Sequence, residues 1–123
     1  MLLDSTVLVD QLRGYPRARS FLYSIPSQEA VFVSVISEAE LFAGKDCEDP
    51  EREEVVKQLL SQFQSLPVDS AIARKAGSFR RNYGVPVIDS FIAATAFVHR
   101  QELYSHDLKE FSKIKEISVK KPY

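Results

Sequence analysis

Short apolar runs alternate with amphipathic segments along this chain, and acidic residues stand where several of the runs end. Leu2-Leu3 followed by Val7-Leu8-Val9 predicts a short buried strand and the helical turn behind it, with Ser5-Thr6 at the junction. Ala18, Phe21, Leu22 and Ile25 recur at helical spacing, so a helix is expected over 17–24, stopped by Pro26. Glu29 to Ser34 predicts the second strand. Ser34 or Ser37 can cap the next helix, which carries Ile36, Glu40, Leu41 and Ala43 and ends at Gly44. After the polar stretch Asp46 to Pro50, Glu51 to Phe63 is amphipathic, with Val55, Val56, Leu59, Leu60 and Phe63 expected inward.

Leu66-Pro67-Val68 predicts a third strand. Asp69 or Ser70 then caps a helix running to about Asn82, with Tyr83-Gly84 as its exit. Asp89 is expected to open another helix, apolar nearly all round from Phe91 to Val98 and therefore buried against the sheet and a further element. Leu103 to Ser105 predicts a fourth strand, and Ile117 to Val119 a fifth on the edge. Strands alternating with helices imply an α/β fold, a three-layer α/β/α sandwich around a central parallel sheet with right-handed crossovers.

The 123 residues, 45% of them hydrophobic, suit a single domain, residues 1–123, with one core. No apolar stretch approaches the roughly 20 residues of a membrane span, and Asp4 stands where a signal peptide would be basic, so a cytoplasmic protein is expected. Cys47 is the only cysteine, which excludes an internal disulfide and a cysteine metal cluster. The formal net charge of −1 hides an asymmetry: residues 1–69 hold 6 Lys/Arg against 12 Asp/Glu, residues 70–123 hold 10 against 5. Arg74, Lys75, Arg80, Arg81, Arg100 and the lysines 113, 115, 120 and 121 can form a basic rim for phosphates. Charge alone favours a solvated helix face and a basic tail.

Four acids at the ends of apolar runs carry the candidate chemistry: Asp4, Glu40, Asp89 and Asp107. In an open α/β sheet ligands bind beyond the carboxyl ends of the strands, so such acids can converge from distant parts of the chain. Converging carboxylates repel, and a divalent cation is the usual remedy, which points to a magnesium- or manganese-dependent phosphoryl-transfer site. Each acid also has a structural reading. Asp4 or Asp89 can cap a helix N-terminus, and Asp107-Leu108-Lys109-Glu110 can be a capping box. Glu38 and Glu40 lie about 200° apart on a helix, so only one can face a common site.

The segments LLDSTVLVD, SVISEAELFAG, VPVIDSFIAATA and LYSHDLKEF stand in the order and spacing of a PIN domain, and together with the chain length they resemble the small VapC-type toxins of prokaryotic toxin–antitoxin pairs. The resemblance covers essentially the whole chain, and IDSFIAATA is its strongest single segment. It implies a parallel sheet between helices and a metal-dependent endoribonuclease using Mg2+ or Mn2+. Residue by residue it places Asp4, Glu40, Asp89 and Asp107 as the four acids that bind metal and serve catalysis. Its small-acid-leucine pattern selects Ala39-Glu40-Leu41 over Glu38. Ser5, Thr6 and Ser105 match small polar positions that orient carboxylates or water.

The resemblance also implies a small antitoxin whose helix covers apolar surface near Glu51 to Phe63, and a homodimer. The RNA is expected to be single-stranded or a loop, because an A-form duplex hides its base edges. Arg74, Lys75, Arg80, Arg81 and His106 are candidate RNA contacts. His106 is read as an RNA contact or plain exposure before a general base. A receiver domain lacks its paired acids here, and a haloacid-dehalogenase-like phosphatase would need an acid where Thr6 stands. The rival to the nuclease is a non-catalytic PIN-like RNA-binding or scaffold module.

Overall fold

The computed structural model describes residues 1–123. Five short strands, β1 (Leu2–Leu3), β2 (Phe32–Ser34), β3 (Gln64–Leu66), β4 (Leu103–Tyr104) and β5 (Val119–Lys120), form one sheet in the order β3-β2-β1-β4-β5. Every adjacent pair is parallel. The helices are α1 (Ser5–Leu12), α2 (Pro16–Ser24), α3 (Val35–Phe42), α4 (Pro50–Leu60), α5 (Ser70–Tyr83), α6 (Val87–Val98) and α7 (Leu108–Phe111). The result is the expected α/β/α sandwich. No helix is long and apolar enough to cross a membrane.

Alternation along β1 builds the two faces. Leu2 and Leu3, both fully buried, point to opposite sides of the sheet. Leu2 joins Phe79 of α5, Ile92 of α6, Leu103 of β4 and Phe111 of α7. Leu3 joins Leu8 of α1, Val33 of β2, Leu41 of α3 and Leu59 of α4. The chain moves outward from β1 through β2 to β3, then returns across the sheet to β4. The switch in direction therefore falls between β1 and β4, and open sheets bind ligands beyond the carboxyl ends at such a point.

Helix α6 fits beside α5 because its buried face is small: Ser90, Ala93, Ala94, Thr95 and Ala96 let the backbones approach. Its buried hydroxyls are satisfied locally, Ser90 donating to the Val87 carbonyl at 2.5 Å and Thr95 to the Phe91 carbonyl at 2.8 Å. Asp69 caps α5 through the Ile72 N–H at 2.9 Å. Gly84 ends α5 at φ +69°, the left-handed conformation that glycine adopts most readily.

Several sequence expectations shift by one to three residues. The third strand lies at 64–66 instead of 66–68, because Pro67 has no N–H for the ladder and Gln64 pairs with the Val31 carbonyl instead. The fifth is displaced to Val119–Lys120, although it does form the edge. Helix α4 stops at Leu60 rather than Phe63, and Val55, expected inward, is 45% exposed. Helix α6 starts at Val87, so Asp89 lies within its first turn and does not open it. Cys47 is half-buried in a 3-10 turn over Lys45–Glu48.

Phe79 is fully buried where α5, α6 and the sheet meet. Phe79→Ala is expected to lower the unfolding free energy by about 3–5 kcal/mol, a loss that urea titration followed by circular dichroism measures directly.

Candidate functional site

Asp4 leaves the end of β1 at the N-cap position of α1, yet its side chain makes no capping bond. Its carboxylate instead accepts from the Ser105 hydroxyl at 2.7 Å, across a separation of 101 residues, and from Thr6 at 3.4 Å. Ser105, fully buried beyond β4, also accepts from the Asp107 N–H at 2.9 Å. One hydroxyl thus ties the acid after β1 to the loop carrying the acid after β4. The backbone of His106 adds a second tie, donating to the Thr6 hydroxyl at 3.3 Å.

Asp107 serves two ends at once. It caps the short helix α7, accepting from the Glu110 N–H at 3.4 Å, and its charge acts on both Asp4 and Asp89. The capping-box reading is half realised, because Glu110 does not reach back but pairs with Lys113 at 2.9 Å. Glu40 comes from the second turn of α3 and Asp89 from the first turn of α6, so neither follows a strand directly. Glu40 is largely exposed as a residue, but its carboxyl turns toward Asp4.

Asp4, Glu40 and Asp89 are all shifted in the same direction. Burial raises the Asp4 carboxyl above its ordinary range: the residue is only 5% exposed, and the Ser105 hydrogen bond and the Ser5 N–H offset only part of the effect. Burial also raises Glu40, with repulsion from Asp4 adding to it and the Ser5 hydroxyl opposing. Asp89 is pushed up to about 6, first by burial and then by Asp107, Asp4, Glu110 and Glu40. The salt bridges of the chain involve none of the four. This is an oxygen-only donor set with excess negative charge, which suits a hard divalent cation. No three of the His, Cys, Asp and Glu side chains stand as a ready-made coordination sphere. Mutual repulsion of ionised carboxylates opposes such closure.

The structure therefore draws Asp4, Glu40, Asp89 and Asp107 together, with Ser5, Thr6 and Ser105 beside them. Glu110 belongs to the same electrostatic neighbourhood, although the sequence presents it only as a capping partner. Its position three residues after Asp107 was the available signal.

The basic residues of α5 are not gathered there. The Lys75 ammonium lies over the rings of Phe79 and Phe97, 4.3 Å from the centre of the latter, two turns along α6 from Asp89. Arg80 donates to the Gly84 and Val85 carbonyls at the helix exit. Both side chains thus have structural work that the charge pattern did not reveal. Arg74 and Arg81 are exposed on α5.

The PIN domain family model matches residues 1–117. The chain is 37% identical over 116 residues to Ribonuclease VapC10 of Mycobacterium tuberculosis, covering 90% of this chain and 85% of that protein. It is 33% identical over 119 residues to Ribonuclease VapC19 of the same organism, covering 89% and 90%. Among solved structures, a toxin–antitoxin complex from Klebsiella pneumoniae contains a chain that superposes with a TM-score of 0.85 at 30% identity, covering 99% of this chain and 97% of that one. With an α/β/α sandwich whose acids meet at the β1/β4 switch point, and with a family match over nearly its full length, the chain belongs to the PIN-domain family.

Proposed function

We propose that this chain is a metal-dependent endoribonuclease and the toxin of a type II toxin–antitoxin pair. The observation that carries the reading is the convergence of Asp4, Glu40, Asp89 and Asp107, free of ion pairs, at the switch point of the sheet. The ribonuclease names of two relatives support it. Asp4, Asp89, Asp107 and Glu40 are the residues that would hold Mg2+ or Mn2+. Such an ion, when bound, supplies activation of water and stabilisation of charge building at phosphorus and the leaving oxygen.

The protein's own part is placement. Ser105 fixes the rotamer of Asp4 and the backbone of Asp107 together, Thr6 steadies the other side of Asp4, and Ser5 lies between Asp4 and Glu40. The buried Asp4 is the rigid member, and the more exposed Glu40 and Asp89 line the open side through which RNA must enter. Single-stranded RNA or a loop suits an open crevice of this kind.

Two partnerships belong to the proposal. A groove of about 200 Å³ between α1, α3 and α4 is lined by Leu12, Leu41, Val55 and Val56, with Glu40 on its wall. An antitoxin helix seated there would cover the apolar surface beginning at Glu51. Glu40 belongs to the groove and to the acid cluster alike, so a basic side chain on that helix has a short path to the carboxylates. A homodimer is the second partnership, and the half-exposed Val87 and Ile88 beside Asp89 are apolar surface available for it.

The principal test is cleavage of a mixed RNA pool by purified, partner-free protein with Mg2+, Mn2+ or EDTA. Cutting is expected only with metal, and Asp89→Asn should lower it by about a thousandfold or more. A well-folded protein that cuts no RNA under any of these conditions supports the non-catalytic module instead.

Asp89→Asn also has an expected stability signature. An acid whose folded pKa lies above its unfolded value of 3.8 weakens the fold at high pH, and that penalty fades as pH falls through about 6. The metal-free wild type should therefore gain Tm relative to Asp89→Asn between pH 8 and pH 5. At neutral pH the variant should be the more stable by on the order of 1 kcal/mol, solvent screening allowed for. Thermal scans across that range, with and without Mg2+, check the sign. A wild type that is the more stable at pH 8 without metal would contradict it.

Ser105→Ala should leave the fold intact but loosen Asp4 and Asp107 together. A drop of roughly tenfold to hundredfold in kcat/KM, with a higher Mn2+ concentration for half-maximal activity, is expected from titration of cleavage against metal.

A further inference from the structure

Beside the acid cluster lies a cavity of different chemistry, about 380 Å³ in volume and lined by Tyr15, Pro16, Arg17, His106, Lys121 and Tyr123. It shares Pro16, Arg17 and Tyr123 with a second hollow of about 380 Å³ running along α2, so the two form one groove. His106 connects this groove to the acids. It stands between Ser105 and Asp107, about 3.8 Å from either along the Cα trace, and its N–H is bonded to Thr6.

The groove is a built surface. The Tyr123 hydroxyl donates to Asp10 at 2.7 Å, and its ring meets the His106 imidazole edge-on with centres 4.4 Å apart. Burial and the Asp10 bond push the Tyr123 phenol up, which keeps it a donor. Asp10 sits one turn beyond Thr6 on the same face of α1, and the His106 Nε2 lies 3.8 Å from its carboxylate. That nitrogen is buried without a hydrogen-bond partner. Tyr15, at the N-cap of α2, is 51% exposed and stacks on no other aromatic ring. Arg17 and Lys121 form no salt bridge.

An exposed ring and two uncommitted cations lining one groove match the two recognisable parts of a nucleotide, a base with a flat π face and a phosphate. We infer that this groove is a nucleotide subsite, in which Tyr15 stacks a base of single-stranded RNA and Arg17 and Lys121 take the adjoining phosphates next to the bond to be cut. The inference rests on the nuclease reading for its substrate. It assigns RNA contact to α2 and the segment after β5, in place of α5. Tyr123 and His106 form the floor, and the Asp10 bond holds that floor rigid.

The test measures binding of a fluorescently labelled, eight-nucleotide single-stranded RNA by anisotropy, in Mg2+, on an Asp89→Asn background that prevents turnover. Adding Tyr15→Ala with Arg17→Gln should weaken binding about tenfold or more, whereas Tyr15→Phe, which keeps the ring, should bind like its parent. With Asp89 intact, the double variant should raise KM for cleavage by a similar factor and leave kcat within about twofold. Binding within twofold of the parent overturns the subsite, whether or not the protein cuts RNA. So does a parent that binds no RNA. Weakened binding in the variant of a protein that cleaves nothing keeps the subsite and overturns the nuclease.

Discussion

Four carboxylates brought together with no cationic side chain bonded to any of them is the constraint around which this molecule is arranged. Bringing them together opposes folding, because burial and mutual repulsion each disfavour the ionised forms. The fold offsets that cost elsewhere, through two apolar clusters on opposite faces of the sheet. It also confines the cost geometrically. Only Asp4 is buried outright, and it alone of the four accepts bonds from two hydroxyls. The other three stand nearer solvent, where repulsion is screened and a cation can enter.

The sheet makes the convergence possible because β1 is central and its neighbours β2 and β4 come from opposite directions along the chain. Elements following these three strands must share one end of the sheet. The Ser105 hydroxyl converts that proximity into fixed geometry: it donates to Asp4 while accepting from the Asp107 N–H, so the two loops cannot move independently. Glu40 and Asp89 are carried by α3 and α6, each anchored on the clusters beneath it by Leu41 or Ile92. Stability and function are thus opposed at the carboxylates and allied in the scaffold.

Much of this was legible in the sequence because apolar runs and caps are local signals. Asp69, Ser34 and Gly84 mark helix ends where they were expected, and the four acids stand out at the ends of apolar runs. Strand bounds were less legible: with two or three residues per strand, pairing partners decide the limits, and Pro67 moved β3 by denying it a ladder bond. The local contacts of the α5 cations were illegible for a related reason. Lys75 over Phe97 and Arg80 on the helix-exit carbonyls are tertiary contacts that no charge count reveals. The partnership of Asp10 with Tyr123 spans 113 residues and has no motif to announce it.

The charge asymmetry between the two halves of the chain also reads differently in three dimensions. The acidic pocket draws Asp4 and Glu40 from the first half and Asp89, Asp107 and Glu110 from the second, so it is not the product of an acidic half. An RNA backbone approaching such a pocket is repelled at short range, and with a screening length of about 10 Å that repulsion is felt only close to the acids. Cations that help must therefore lie within that distance and must not already be neutralised. Arg17 and Lys121 line the groove that His106 joins to the acids, and neither is paired. Lys75 is held instead over the rings of Phe79 and Phe97 on the α5–α6 surface. By this reasoning the side chains that matter for substrate approach are set by their distance from Asp107 and their freedom from local partners, and helix α1, with Asp4 at its start and Asp10 on the face toward the groove, is the element that joins the two chemistries.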